Sequence, residues 1–227
     1  MNPTIEPTSE QDVLNAQHEQ WERTFSSKPS MFGDDASYPA RLAADLFTRE
    51  KHVKVLELGG GQGRDSLFLA RRGFELTVLD FSATGLQEIE EKAQRAGAPT
   101  FTTVCHDVRK PLPFAAASFD AVYSHMLYCM ALTSAELATL SQEIRRVLKP
   151  GGLNVFTART KQDAHYGTGI HRGEDMYEVG GFIVHFFDQA KVHEVAAGYD
   201  IVSIEEFEEG GLPRRLFLVA LRKPRQA

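Results

Sequence analysis

From residue 53 onward the chain alternates short apolar runs with helical stretches, at a spacing that leaves few ways to fold. Val53-Lys-Val-Leu-Glu-Leu58 and Glu75-Leu-Thr-Val-Leu-Asp80 are compact and aliphatic, as buried strands are. Asp65 to Gly73 lies between them as a helix. Thr84 to Ala96 follows with Leu86, Ile89, Ala93 and Ala96 at helical intervals, and Gly97 and Pro99 end it. The alternation repeats as a strand over 100–105, a loop over 106–118, a strand over 119–124, a helix over about 134–148 and a strand over 153–158. Strands joined by helices through short connections predict right-handed βαβ units and a parallel sheet covered on both faces. The end differs. After a helix near 188–197, Ile201–Ile204 and Leu216–Leu221 are separated by acids, glycines and a proline, which makes them consecutive strands and the final pair antiparallel. The expected fold class is therefore α/β, a doubly wound, mostly parallel seven-stranded sheet with an antiparallel last strand.

The rest of the chain elaborates that sheet. Residues 1–9 read as a tail, Ser9 as the cap of a polar helix over about 10–26, and 38–50 as a second helix with Leu42, Ala43, Leu46 and Phe47 on one face. The expected organisation is one domain: an N-terminal helical cap over 1–50, a core over 53–158, an insert over 159–187, and a C-terminal helix and strand pair over 188–221. The insert is glycine-rich, holds three of the eight histidines, and fits no simple unit. A net charge of −6 gives no general attraction to nucleic acid or to an anionic membrane. DNA is not expected as a partner, and the basic residues Arg214, Arg215, Arg222, Lys223 and Arg225 read as a solvated last strand rather than an RNA contact. Two cysteines, no basic leader before an apolar stretch and no run of eighteen apolar residues point to a soluble cytoplasmic protein; the oligomeric state stays open.

In an open α/β sheet, ligands bind beyond the carboxyl ends of the strands, where strand order reverses. The first strand runs into Glu57-Leu-Gly-Gly-Gly-Gln-Gly63 and then a helix. Glycines there allow a tight turn and let a ligand approach the backbone and the helix N-terminus. A nicotinamide-type G-x-G-x-x-G is the competing reading: Gly59 and Gly61 would need a third glycine where Arg64 stands, whereas Gly61 and Gly63 would place Ser66 there. Glu57, two residues before the first glycine, repels a pyrophosphate and suits an amino group. Asp80, ending the second strand, suits ribose hydroxyls with either cofactor. Asp107 adds an acid to the same rim, or caps its own loop.

These stretches, with Leu79-Asp-Phe-Ser82, Asp107-Val-Arg-Lys-Pro-Leu-Pro-Phe114, Ser118-Phe-Asp-Ala-Val-Tyr-Ser124 and Arg146-Val-Leu-Lys-Pro-Gly-Gly152, resemble the class I S-adenosylmethionine-dependent methyltransferases in this order. The resemblance implies their Rossmann-like fold, S-adenosylmethionine as cofactor and a small molecule as substrate. It implies that Gly59, Gly61 and Gly63 line the methionine moiety with Glu57 near its ammonium, that Asp80 holds the ribose, and that Phe81 packs on adenine. Asp107 and the Val108 amide would read the adenine edge, while Ser124 and His125 would floor the transfer site. Arg64 and Ser82 join the cofactor candidates. Gln62-Gly-Arg-Asp-Ser66 and the Trp21 to Phe32 segment further resemble the branch with tellurite- and thiopurine-type enzymes.

Acceptor residues are expected from the fourth-strand rim and the insert. His125, His165, Tyr166 and His185 are candidates to take a proton. Trp21, Phe32, Tyr128, His171 and Arg172 are candidate substrate contacts, with Arg172 suited to an anion. Met126, Leu127 and Met130 read as core, and Cys129 as an inert thiol. His165, His171, Glu174, Asp175 and His185 are chemically able to bind a metal, yet their spacing fits no close helical motif and no metal is expected. No Asn/Asp-Pro-Pro-Tyr/Phe follows the fourth strand and no Pro-Cys pair is present, which argues against nucleic-acid amino or cytosine C5 methylation. The expected reaction is in-line transfer of a methyl group to a thiol, a metalloid oxyanion, or a carboxyl or hydroxyl group, within a lid formed by 159–187. The alternatives are a catalytically silent nucleotide-binding module and a nicotinamide oxidoreductase.

Overall fold

The computed structural model describes residues 10–210 and 214–225; the tail, the Ser9 cap, Gly211 and Pro213 lie outside the described residues. The helix expected over 10–26 is present as α1 (Glu10–Asn15) and α2 (Gln17–Ser27), and Ala16 between them keeps helical dihedrals. α3 (Tyr38–Arg49) starts where the Ser37 side chain accepts from the Ala40 N–H with Pro39 in the first turn, a combination that satisfies an orphan amide and pre-sets φ. The alternating core then runs β1 (Lys54–Leu58), α4 (Arg64–Arg71), β2 (Glu75–Asp80), α5 (Ala83–Arg95), β3 (Thr102–Cys105), β4 (Phe119–Ser124), α6 (Ser134–Val147) and β5 (Leu148–Arg159). Ser82 caps α5, and Thr133 with Glu136 forms a capping box on α6.

The insert is more ordered than its sequence suggests. β6 (Ile170–His171), β7 (Met176–Val179) and β8 (Phe182–His185) form a separate antiparallel sheet. Gly180 and Gly181, both at positive φ, make the two-residue turn between β7 and β8, a hairpin signal overlooked in Val-Gly-Gly-Phe. α7 (Gln189–Val195), β9 (Asp200–Glu209) and β10 (Arg214–Arg222) complete the chain.

The main sheet has the order β3-β2-β1-β4-β5-β10-β9. The first five strands are parallel, and β10 pairs antiparallel with both β5 and β9. Residue alternation sorts the strands onto two cores. Leu56, Leu58, Val122, Phe156 and Phe217 pack under α6 and α7, while Val55, Val78, Ala121 and Val155 pack under α3, α4 and α5. Strand order reverses between β1 and β4, which opens a crevice between the β1 glycine turn and Ser124–His125. Because β9 runs parallel to β5, its last residue, Glu209, reaches the same rim. No helix among the described residues is long and apolar enough to cross a membrane.

Candidate active site

The turn after β1 is glycine for packing reasons as much as for ligand approach. A Cβ on Gly60 would lie 2.3 Å from Val78 Cγ1, and one on Gly63, at φ 84°, would lie 2.8 Å from Ile89 Cγ1. The turn is fixed from below by Asp80. One of its carboxylate oxygens accepts the Gly61 N–H at 2.8 Å and the other accepts the Ser82 N–H at 2.8 Å. Asp80 is buried, and burial raises its carboxyl above the ordinary value against these bonds.

Glu57 stands under the same turn, 3% exposed, with Oε2 unpartnered among the described residues. Burial first, and the neighbouring Asp65 carboxylate second, push its carboxyl up to about 8. Asp65 itself is fully engaged: it accepts the Ser37 N–H and hydroxyl, each at 2.7 Å, and the Tyr123 hydroxyl at 2.9 Å. A buried carboxyl with an orphaned oxygen gains most from a cationic partner.

α2 lies across the crevice. His18 Nε2 is 3.2 Å from the Phe81 carbonyl and its ring is 4.8 Å from the Phe81 ring. Glu22 faces the start of α5; burial opposes its charge, but hydrogen bonds from Thr84, Ser82 and the Ala83 backbone hold its carboxyl below the ordinary value. On the other side Gln17 clasps the β7–β8 hairpin, donating to the Gly181 carbonyl at 3.1 Å and accepting the Ile183 N–H at 3.0 Å. Trp21 packs on Phe182 at 4.7 Å.

Two adjoining cavities result. The first, about 150 Å³, is lined by Gly59, Gly61, Asp80, Phe81, Asp107, Val108 and residues of α2. Asp107 there is gripped by Arg109, whose Nε and Nη2 reach its oxygens at 2.7–3.0 Å. Burial opposes that charge, but Arg109 keeps the carboxyl below its ordinary value. The second cavity, about 490 Å³, has Glu57, Gly59–Gly61, Arg64 and Asp65 on one side, and His125, Arg159, His165, Glu209 and Arg214 on another. Trp21, Phe32, Met126, Met130, Phe182 and Val184 form its apolar wall. Trp21, Phe32, His125, Met126 and Met130 border both cavities, so His125 sits at their junction.

At this junction His125 Nε2 lies 3.2 Å from Glu209 Oε2 and Nδ1 lies 2.9 Å from Thr157 Oγ1. Thr157 also accepts the Met126 N–H at 2.8 Å, at a residue whose φ of 65° is strained for a side-chain-bearing residue. Burial opposes the charge on Glu209; the hydrogen bond from His125 and the charges of His125, Arg64 and Arg214 hold it below the ordinary range.

Several sequence expectations change here. Tyr128 is not a substrate contact: it is fully buried, stacks on Phe156 at 3.9 Å, and its hydroxyl accepts from Asn154 at 3.0 Å. Among the described residues, Tyr166, His171, Arg172 and His185 line neither cavity. Tyr166 donates to Asp175, His171 Nε2 meets the Glu174 carbonyl, Arg172 pairs with Glu178, and His185 is buried against the Leu132 carbonyl. These partners lie in or beside the insert's own sheet, so the four side chains are held away from the cavities, His185 buried and His171 exposed. Met126 and Met130, read as core, border the cavities instead. Ser124 is buried with its hydroxyl unpartnered, and Ser82 is occupied as a helix cap. Cys129 is buried, its thiol pushed up to about 11 by burial. Gln17, His18 and Glu209 were not foreseen; only the place of Glu209 at a strand end could have marked it.

Residues 55–152 match the family model of a methyltransferase domain. The chain is 29% identical over 187 residues to a malonyl-[acyl-carrier protein] O-methyltransferase of Halorhodospira halophila, which covers 79% of this chain and 57% of that relative. The segment from β1 into β5 is therefore similar to a methyltransferase domain. This similarity to methyltransferases, several of whose structures hold S-adenosylhomocysteine, supports S-adenosylmethionine as the cofactor. A second malonyl-[acyl-carrier protein] O-methyltransferase, from Enterobacter lignolyticus, is 35% identical over 120 residues, covering 52% of this chain and 41% of that relative. The chain thus spans about half the length of these curated relatives. The methyltransferase fold is shared with the Burkholderia thailandensis 1,6-didemethyltoxoflavin-N1-methyltransferase, at 18% identity and a TM-score of 0.70 over 99% of this chain and 93% of that one.

Proposed function

We propose that the chain transfers the methyl group of S-adenosylmethionine to a small organic acceptor held in the second cavity. The observation that carries this reading is Glu57, a buried carboxyl with an unpartnered oxygen that lines the second cavity beneath a glycine turn, Gly59 and Gly61 of which border both cavities. That residue and turn fit an amino-acid moiety with an ammonium group. Asp80, whose two oxygens each keep a lone pair after accepting one amide, fits a ribose diol, and Phe81, Asp107 and Val108 form the nucleobase end. Bound there, the sulfonium supplies an already electrophilic methyl group. The chain contributes alignment and exclusion of water: α2 lies over the junction, β8 walls the second cavity, and His125 and Met126 bound the space an incoming nucleophile crosses. Alignment of this kind accounts for about 7–11 kcal/mol of a barrier.

The relatives named above act on a malonyl group on a carrier protein and on a ring nitrogen, so a small molecule, free or tethered to a carrier, suits this chain. Calorimetric titration of the full chain with S-adenosylhomocysteine tests the reading: a saturable site lost in Asp80→Ala supports it, and no binding overturns it. A chain that binds the cofactor but methylates no acceptor would be a silent nucleotide-binding module instead.

A further inference from the structure

On the polar wall of the second cavity, Arg159, His165 and His125 are each committed to a partner in a way that leaves them donors. Arg159 is buried and fixed by Asp163, whose Oδ2 takes its Nε at 3.0 Å and whose Oδ1 takes its Nη2. Asp163 also accepts the His165 N–H at 2.9 Å and the Arg215 N–H at 3.0 Å, tying the start of the insert to β5 and β10. Arg159 Nη2 then lies 3.1 Å from His165 Nδ1. A guanidinium has only donors, so Nδ1 accepts and the ring proton is on Nε2. Nε2 has no hydrogen-bond partner among the described residues, and His165 lines the cavity. His165 therefore offers an N–H to whatever enters.

His125 is committed in the same sense. Glu209 is an acceptor, so Nε2 donates to it, and the Thr157 hydroxyl, which already accepts the Met126 N–H, has its own hydrogen to give to Nδ1. Glu209 is shared between His125 and Arg64, whose Nη2 is 3.7 Å away. Arg214 adds a second cation to the same wall. This part of the lining thus presents donors and cations with its own acid, Glu209, already bonded, while Glu57 and Asp65 stand at the glycine turn and Trp21, Phe182 and Val184 supply apolar lining.

We infer that the acceptor is an organic carboxylate that enters already ionised, its apolar body against the aromatic wall and one carboxylate oxygen on His165 Nε2–H, which Asp163 and Arg159 orient. This rests on the methyltransferase reading above. The carboxylate oxygen gives an electron pair to the methyl carbon as the carbon–sulfur bond breaks; the departing pair neutralises the sulfonium, an ester and a thioether result, and no proton is released. A committed wall suits such a nucleophile because no base is needed. The apolar wall favours an organic acid over an inorganic oxyanion, and N–H donors favour oxygen over a thiolate.

The test is calorimetry on the full chain saturated with S-adenosylhomocysteine, titrated with 3-phenylpropionate, 3-phenylpropylamine and 3-phenylpropanol. The carboxylate is expected to bind at least tenfold more tightly than either analogue. His165→Phe should cut that preference to below twofold while S-adenosylhomocysteine affinity stays within twofold, and His165→Asn, which keeps an N–H donor, should retain most of it. With methyl-labelled S-adenosylmethionine, label transferred to 3-phenylpropionate should be released as methanol by mild base. An amine or alcohol that binds as tightly as the carboxylate, a preference that survives His165→Phe, binding of none of the three, or base-stable label on the amine or alcohol overturns the inference. Failure of the wild-type chain to bind S-adenosylhomocysteine would instead overturn the methyltransferase reading beneath it.

Discussion

Glu57→Gln separates what this carboxyl does for binding from what it costs the fold. Its ordinary value is 4.5 and the buried group sits at about 8. Below pH 4.5 the group is protonated in both folded and unfolded chains and costs nothing. Between pH 4.5 and 8 the folded chain keeps a proton that the unfolded chain releases, so stability is lost by about 1.4 kcal/mol per pH unit. Above pH 8 both states are ionised and the loss levels off near 5 kcal/mol. At pH 7 the cost is about 3 kcal/mol. The substitution removes it but buries an amide short of partners, which costs about 1 kcal/mol. The net expectation is a gain of about 2 kcal/mol, or a rise in Tm of about 4–8 °C for a chain of this size. The variant should lose about 10–100-fold in S-adenosylhomocysteine affinity, because a charge-assisted contact to the ammonium is gone. Thermal melts from pH 5 to 9, with and without S-adenosylhomocysteine, check both halves. The Tm gap should widen up to pH 8 and then hold. A pH-independent gap, or a variant that binds the ligand undiminished, refutes the reasoning.

Other measurements test the remaining geometry. Ionisation of Glu57 by the incoming ammonium should release about one proton per S-adenosylhomocysteine bound near pH 7, seen as a buffer-dependent heat in calorimetry. Gln17→Leu removes both bonds between α2 and the β7–β8 hairpin and should raise the S-adenosylhomocysteine dissociation rate about 3–10-fold with little change in Tm, measured by stopped-flow displacement. Tyr128→Phe strands the Asn154 amide in the core and should cost about 1–2 kcal/mol in urea unfolding while leaving ligand affinity unchanged. Arg172→Gln, at a residue turned toward Glu178, should leave both cofactor and acceptor binding within twofold, against its sequence-based role as an anion contact.

The cofactor end of the site was legible because its constraints are local. Gly60 and Gly63 must be glycine to pass Val78 and Ile89, and Glu57 and Asp80 end adjacent strands, so order along the chain and position on the rim coincide. The acceptor end depends on register between distant segments. His125 meets Glu209 across 84 positions, and Gln17 meets Gly181 across 164. No local pattern announces either pairing. The insert's strands, of two, four and four residues, are too short for alternation to show, so residue type identifies its histidines but not the direction each one faces. His165 faces the cavity because Asp163 holds the backbone of its turn; His185, on β8, faces the core beside Phe187.

The two ends of the site also differ in how they tolerate change. The cofactor cradle hangs on Asp80 and Asp65, both buried, Asp80 bonded to the glycine turn and the α5 cap and Asp65 to the α3 cap and β4, so a substitution there disturbs core packing as well as binding. The acceptor wall hangs on Asp163, one buried carboxylate that gathers Arg159, the His165 amide and the Arg215 amide at the edge of the sheet. Removing that carboxylate leaves a buried guanidinium unpaired, which costs several kcal/mol, whereas changing His165 alters only the group presented to the cavity. Acceptor choice therefore has room to vary at His165 and Phe182, which line only the second cavity, while Asp163 and Arg159 are held by the fold itself.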